Sequence, residues 1–145
     1  MILRKKPRGL TLVEVMIVVA IIALLAAIAI PNLLRAHHNA NESAAIGVMH
    51  TLSAALESFR AAQTPPTYPT TDLTELSGAT PPYIADSLAD GTNQGYTFTY
   101  TPVDANQYDL VASPDVVNVT GTRDFFVDET GTIRSGTDET GDPLE

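Results

Sequence analysis

The spacing of apolar residues along this chain changes twice. From Leu10 to Ile30 almost every position is apolar and Glu14 is the only charge. As a helix these 21 residues rise about 31 Å, close to the hydrocarbon thickness of a bilayer. Past Pro31 the apolar positions thin to a helical repeat. Ala45, Val48, Met49, Leu52, Leu56 and Phe59 recur at spacings of three and four, with Asn41, Glu42, Ser43, His50, Glu57 and Arg60 on the other faces. From Tyr96 the repeat is two. Tyr96, Phe98 and Tyr100 alternate with Thr97, Thr99 and Thr101, and Tyr108, Leu110 and Ala112 follow after a turn at Asp104 to Asn106. Phe125 to Asp128 and Thr132 to Arg134 make a hairpin around Glu129-Thr130-Gly131.

These repeats predict an α+β chain: one long helix from Leu10 to Ala62, then a small antiparallel sheet of three to four strands whose apolar face covers the Ala45 to Phe59 stripe. Pro31 lacks an N–H and pushes Ile30 away from helical angles, so a kink is expected there, with Gly47 as a second soft point. Gln63 to Pro82, which holds Pro65, Pro66, Pro69, Pro81 and Pro82, reads as an irregular connection with a short turn at Asp72 to Leu76. The expected organisation is a basic leader at 1–9, an apolar half-helix at 10–31, an amphipathic half-helix at 32–62 and a loop-plus-sheet head at 63–145.

Charge orients the apolar segment. The first nine residues carry Arg4, Lys5, Lys6 and Arg8 and no acid, a flank that stays cytoplasmic, so the rest of the chain is exported. In a secretory signal peptide small residues follow the apolar stretch and cleavage discards it. Here Gly9 precedes the stretch. A cut after Gly9 removes the leader, keeps the helix and creates an α-amine on Leu10, within about one helical turn of Glu14.

Gly9-Leu10-Thr11-Leu12-Val13-Glu14-Val15, followed by Ala26-Ala27-Ile28-Ala29-Ile30-Pro31-Asn32-Leu33, resembles the class III leader and N-terminal helix of type IV pilins and type II secretion pseudopilins. The resemblance implies a pilin-like fold and a precursor in the inner membrane, its N-terminus cytoplasmic and its head periplasmic. It further implies cleavage after Gly9 and N-methylation of Leu10 by a prepilin peptidase. An inner-membrane assembly platform then builds a helical homo-oligomer with these helices at its core, in the periplasm or at the cell surface. Leu10 stands where the family mostly has Phe, and Ala23 where many pilins have Gly.

Glu14 admits two readings. With Thr11 it forms an S/T-x-x-E capping box, in which each side chain satisfies an open donor of the first turn. A carboxylate is expensive in lipid, however, and the resemblance implies that it neutralises the Leu10 amine within or between subunits.

Composition narrows the partners. There are no cysteines, so the head has no disulfide and no Cys-based metal or redox chemistry. That departs from type IVa pilins, whose C-terminal loop is closed by a disulfide, and is nearer to major pseudopilins and short cysteine-free pilins. After cleavage four basic residues face 17 acids, a formal −13, which disfavours nucleic acid as a partner. No cofactor is required. Asp124, Asp128, Glu129, Asp138, Glu139 and Asp142 crowd among Gly131, Gly136 and Gly141, a set that suits Ca²⁺. Major pseudopilins bind calcium in this region, which makes Asp124 and Asp128 candidate ligands. The spacing does not match an EF-hand, and Gly136 to Glu145 reads equally as a frayed terminus.

Catalytic residues are not expected. His37, His38 and His50 lie on the helix without a carboxylate or Ser constellation, and no phosphate loop, zinc motif or nucleophile elbow is present. The helix has no aromatic before Phe59, so stacked-aromatic electron transport gains no support. The expected function is a non-enzymatic filament subunit, a major type IV pilin, with a major type II secretion pseudopilin as the alternative. A monomeric membrane-anchored binding domain fits less well, because a permanent anchor has no use for a helix beginning directly at a cleavage glycine.

Overall fold

The computed structural model describes residues 9–144; the basic leader with Arg4, Lys5, Lys6 and Arg8 lies outside the described residues. Helix α1 is Leu12–Ala62, 51 residues. It starts two residues later than the apolar run, because Thr11 stands at the N-terminal boundary and accepts from the Glu14 N–H through its hydroxyl. Pro31 lies inside the helix rather than at its end. The chain divides into two compact units, one ending at Ala36 and the other running from His37.

In the first unit the apolar side chains from Leu12 to Leu34 are almost all exposed. This part of α1 is long and apolar enough to cross a membrane, and none of that window is buried. Each such large side chain forgoes about 1.5–3 kcal/mol while it remains in water. The segment therefore requires lipid or other helices around it.

The second unit is the head. Its sheet has six antiparallel strands in sequential order: β1 Thr92–Asn93, β2 Tyr96–Pro102, β3 Tyr108–Pro114, β4 Phe125–Asp128, β5 Arg134–Ser135 and β6 Asp142–Pro143. The alternation in the sequence reveals β2, β3 and β4. The additional strands β1 and β6 are two residues each, too short to show a repeat, and β5 begins at Arg134 instead of Thr132. The tail is correspondingly not a frayed end: Ser135 pairs with Asp142, and the Leu144 N–H donates to Ile133 O at 2.8 Å.

Register aligns the apolar positions. Phe98 stands opposite Ala112, Tyr100 opposite Leu110, and Leu110 opposite Val127, so one sheet face is apolar. That face packs with Ala45, Met49, Leu52, Leu56 and Phe59 of α1 in a single core. Tyr68, Leu73, Leu76 and Ile84, from the connection after α1, close its remaining side. The connection holds the expected turn as α2, Thr74–Ser77, and an unexpected single turn, α3, Asp86–Ala89. Phenols reaching this core find partners: Tyr108 Oη lies 3.1 Å from Ser53 Oγ, and Tyr96 Oη donates to Arg123 O at 3.0 Å.

Candidate functional site

At the N-terminal end, Gly9 to Thr11 are exposed and non-helical, and a Cβ added at Gly9 would meet nothing within 4 Å. The Gly9–Leu10 bond thus lies on exposed chain ahead of the helix. Glu14 forms the capping box with Thr11. Its Oε2 accepts from the Thr11 N–H at 2.7 Å and from Thr11 Oγ1 at 2.8 Å, while the Glu14 N–H donates to Thr11 Oγ1 at 3.2 Å. All of these donors survive a cut after Gly9. Both bonds to the carboxylate reach Oε2, so among the described residues Oε1 has no donor. The cap and a bond to the neighbouring Leu10 amine are therefore compatible uses of one carboxylate.

A second polar cluster lies in the head, where the helical repeat suggests only a solvated face. Glu42 is 4% exposed. Its Oε1 accepts from the Thr122 N–H at 3.0 Å and Thr122 Oγ1 at 2.7 Å; its Oε2 accepts from Arg123 Nε at 3.0 Å and Nη2 at 2.6 Å. Asn41 Nδ2 donates to Thr120 O at 2.8 Å beside it. Burial by itself would raise the Glu42 carboxyl, but the bonds from Thr122 and Arg123 outweigh it and hold the group below the ordinary glutamate range. This corrects the assignment of Glu42 to an outer face. Glu42, Ala45, Met49, Leu52 and Leu56 follow one another at three, four, three and four residues, so Glu42 is in phase with the core stripe.

Asp124 stands just before β4 and Asp128 ends it, four residues apart, about 13 Å at the rise of a strand. Asp128 Oδ1 accepts from the Thr130 N–H at 2.9 Å, a local turn bond. Among the described residues no group of three or more His, Cys, Asp or Glu side chains could hold a metal ion. His37, His38 and His50 lie on α1 as expected, and His38 Nε2 is buried without a hydrogen-bond partner among the described residues.

A family model described as the prokaryotic N-terminal methylation motif matches residues 4–30. Over 39 residues the chain is 54% identical to the type IV wide pilus major component PilA4 of Thermus thermophilus, a stretch making up 27% of this chain and 30% of that protein. The chain thus aligns with less than a third of the length of this relative. No solved structure matches it. Motif and relative each liken a part of the chain to type IV pilins.

Proposed function

We propose that the chain is a non-enzymatic structural subunit of a helical type IV pilus-like filament. The observation that carries this reading is the exposed apolar part of α1, which follows Gly9 in the chain and bears one carboxylate in its first turn. The basic leader holds the precursor's N-terminus in the cytoplasm. A prepilin peptidase cuts after Gly9 and methylates the Leu10 amine. When the subunit leaves the bilayer through the assembly platform, the side chains from Leu12 to Leu34 exchange lipid for the helices of other copies. Glu14, capped on Oε2 by Thr11, offers Oε1 to the Leu10 amine of its own or a neighbouring copy. An amine in that interior without a counter-charge would cost about 3–5 kcal/mol, the cost of breaking a buried pair.

Similarity over 39 residues to a wide pilus component supports a pilus-like filament, an architecture that the secretion pseudopilus shares. The excess of acids in the cleaved chain supports an exported head with no nucleic-acid role. No metal is needed for this role. The test is to express the parent chain and Glu14→Gln beside a prepilin peptidase and assembly platform, following processing by gel shift and filaments by shearing and electron microscopy. The parent should give filaments. The Gln variant should be cleaved and inserted normally yet assemble poorly, and normal filaments from it alone would reduce Glu14 to a helix cap.

A further inference from the structure

Between His37 and Leu144 the large apolar side chains left exposed are Val103, Val116, Val117 and Val119. Three of the four sit in the loop joining β3 to β4, at 53%, 63% and 59% exposure, and from Val116 to Thr122 that loop carries no charge. Its backbone is closed on itself. The Val116 N–H donates to Thr120 Oγ1 at 3.1 Å, the Asn118 N–H to Gly121 O at 2.8 Å, and the Val119 and Thr120 N–H groups to Val116 O at 3.0 and 2.9 Å. Asn118, at a φ of 62°, makes the bend. A turn whose donors are met internally leaves water at little cost, whereas open backbone does not. Three valines clustered on such a turn form an apolar patch that marks a contact.

The far end of the turn is fastened to α1. Asn41 Nδ2 donates to Thr120 O at 2.8 Å, and Glu42 takes the Thr122 N–H at 3.0 Å and the Arg123 guanidinium at 2.6 Å. Asn41 is seven residues past Leu34, where the exposed apolar run ends, and Arg35 between them is the first charge after Glu14. Those residues reach at most about 25 Å even when fully extended. Whatever surrounds Leu12 to Leu34 therefore lies within a short tether of the valine turn. Val103 is similarly exposed, at 55%, but it follows the other end of β2, roughly 20 Å from the turn. Asp115 and Asp124 border the turn. Asp115 Oδ1 accepts from Thr97 Oγ1 at 2.7 Å, back on the sheet, and Asp124 lies beyond the Glu42 clamp, just before β4.

We infer that, while the chain is held in the bilayer, the Val116–Val119 turn rests on the phospholipid surface, with its valines at the level of the headgroups and the first acyl carbons. The inference rests on the membrane-held precursor of the proposed function and adds to it a second, reversible contact made by the head. The occupant is lipid because, on that reading, lipid already surrounds the apolar segment to which the turn is tethered. An uncharged turn with its backbone satisfied also suits an interface and needs no partner of matching shape. Three valines alone bind a membrane weakly, but the tether raises the effective concentration of the surface and lets a weak contact form. The bordering Asp115 and Asp124 set a preference for a zwitterionic surface over an anionic one. Extraction of the subunit into a filament breaks the contact.

The chain has no cysteine, so an introduced one carries the only label. Full-length Val117→Cys and Val103→Cys chains, each bearing a polarity-sensitive fluorophore, are reconstituted at low protein-to-lipid ratio into phosphatidylcholine vesicles with and without brominated acyl chains. The Val117→Cys label should emit further to the blue and be quenched at least about twofold by the brominated lipid, while the Val103→Cys label should stay unquenched. Adding Val116→Ser and Val119→Ser to the Val117→Cys chain should remove at least about half of that quenching with the far-UV spectrum unchanged. Phosphatidylglycerol at low salt should weaken it. Equal quenching of the two labels, quenching untouched by the serine pair, or quenching that grows with phosphatidylglycerol and so makes Arg123 the anchor would overturn the contact. A blue shift that appears only as the protein-to-lipid ratio rises would overturn it too, because the occupant would then be a second copy. In all of these outcomes the chain still floats with the vesicles. A chain that does not float would overturn the membrane-held precursor itself.

Discussion

Glu42 shows how much a single residue can be misjudged from type alone. As a glutamate on an amphipathic helix it reads as solvated, yet its phase with Ala45, Met49, Leu52 and Leu56 puts it on the core side, where it holds the Thr122–Arg123 segment. Arg123 and Thr122, some 80 positions away, carry no signal of their own, because nothing local marks a residue as a long-range partner. Because Arg123 is half-exposed and regains water when released, Glu42→Ala should cost about 1.5–3 kcal/mol, the range of a hydrogen bond to a charged group, rather than the about 3–5 of a fully buried pair. The pH dependence follows from the sign of the shift. With its folded value held below the ordinary 4.5, Glu42 contributes stability that is present above 4.5 and lost as pH falls through the lower folded value. Thermal melts of the parent and Glu42→Ala should therefore differ at pH 7 and converge at the acid end. A gap that persists unchanged in acid would mean the ionised carboxylate is not what holds the loop.

At the scale of elements, legibility follows length. A 51-residue helix and the seven-residue strands β2 and β3 carry enough turns or alternations for a period to emerge, and all three are plain in the sequence. The two-residue strands β1 and β6 and the single turn α3 exist because neighbours supply their partners. Pro31 is read through for a different reason. A proline constrains its own neighbourhood, but it is the resumption of apolar periodicity beyond it that decides whether the element continues, and α1 does continue. The packing of α1 on the sheet gives a paired test. Leu56 is fully buried in the core and Thr99 faces outward on β2. Leu56→Ala should lower head stability by about 2–5 kcal/mol and Thr99→Ala by little, read as melting of the detergent-solubilised chain. Equal losses would contradict the assignment of sheet faces.

For the molecule as a whole, the first unit has no core of its own and the second has one assembled from a helix face, a sheet face and a wrapped connection. The N-terminal site is legible in the sequence because its residue types, order and spacing lie within a few positions of one another. The head's polar clamp is not, since Glu42 of α1 and the Thr122–Arg123 segment meet across some 80 positions of sequence. The proposed function requires that the subunit keep its helix while losing its leader, and the intact mass of the subunit from a sheared filament fraction tests that most directly. The mass should correspond to a chain beginning at Leu10 with one added methyl group on its amine. A subunit retaining residues 1–9, or one starting beyond Ile30 with the apolar helix removed, would contradict it.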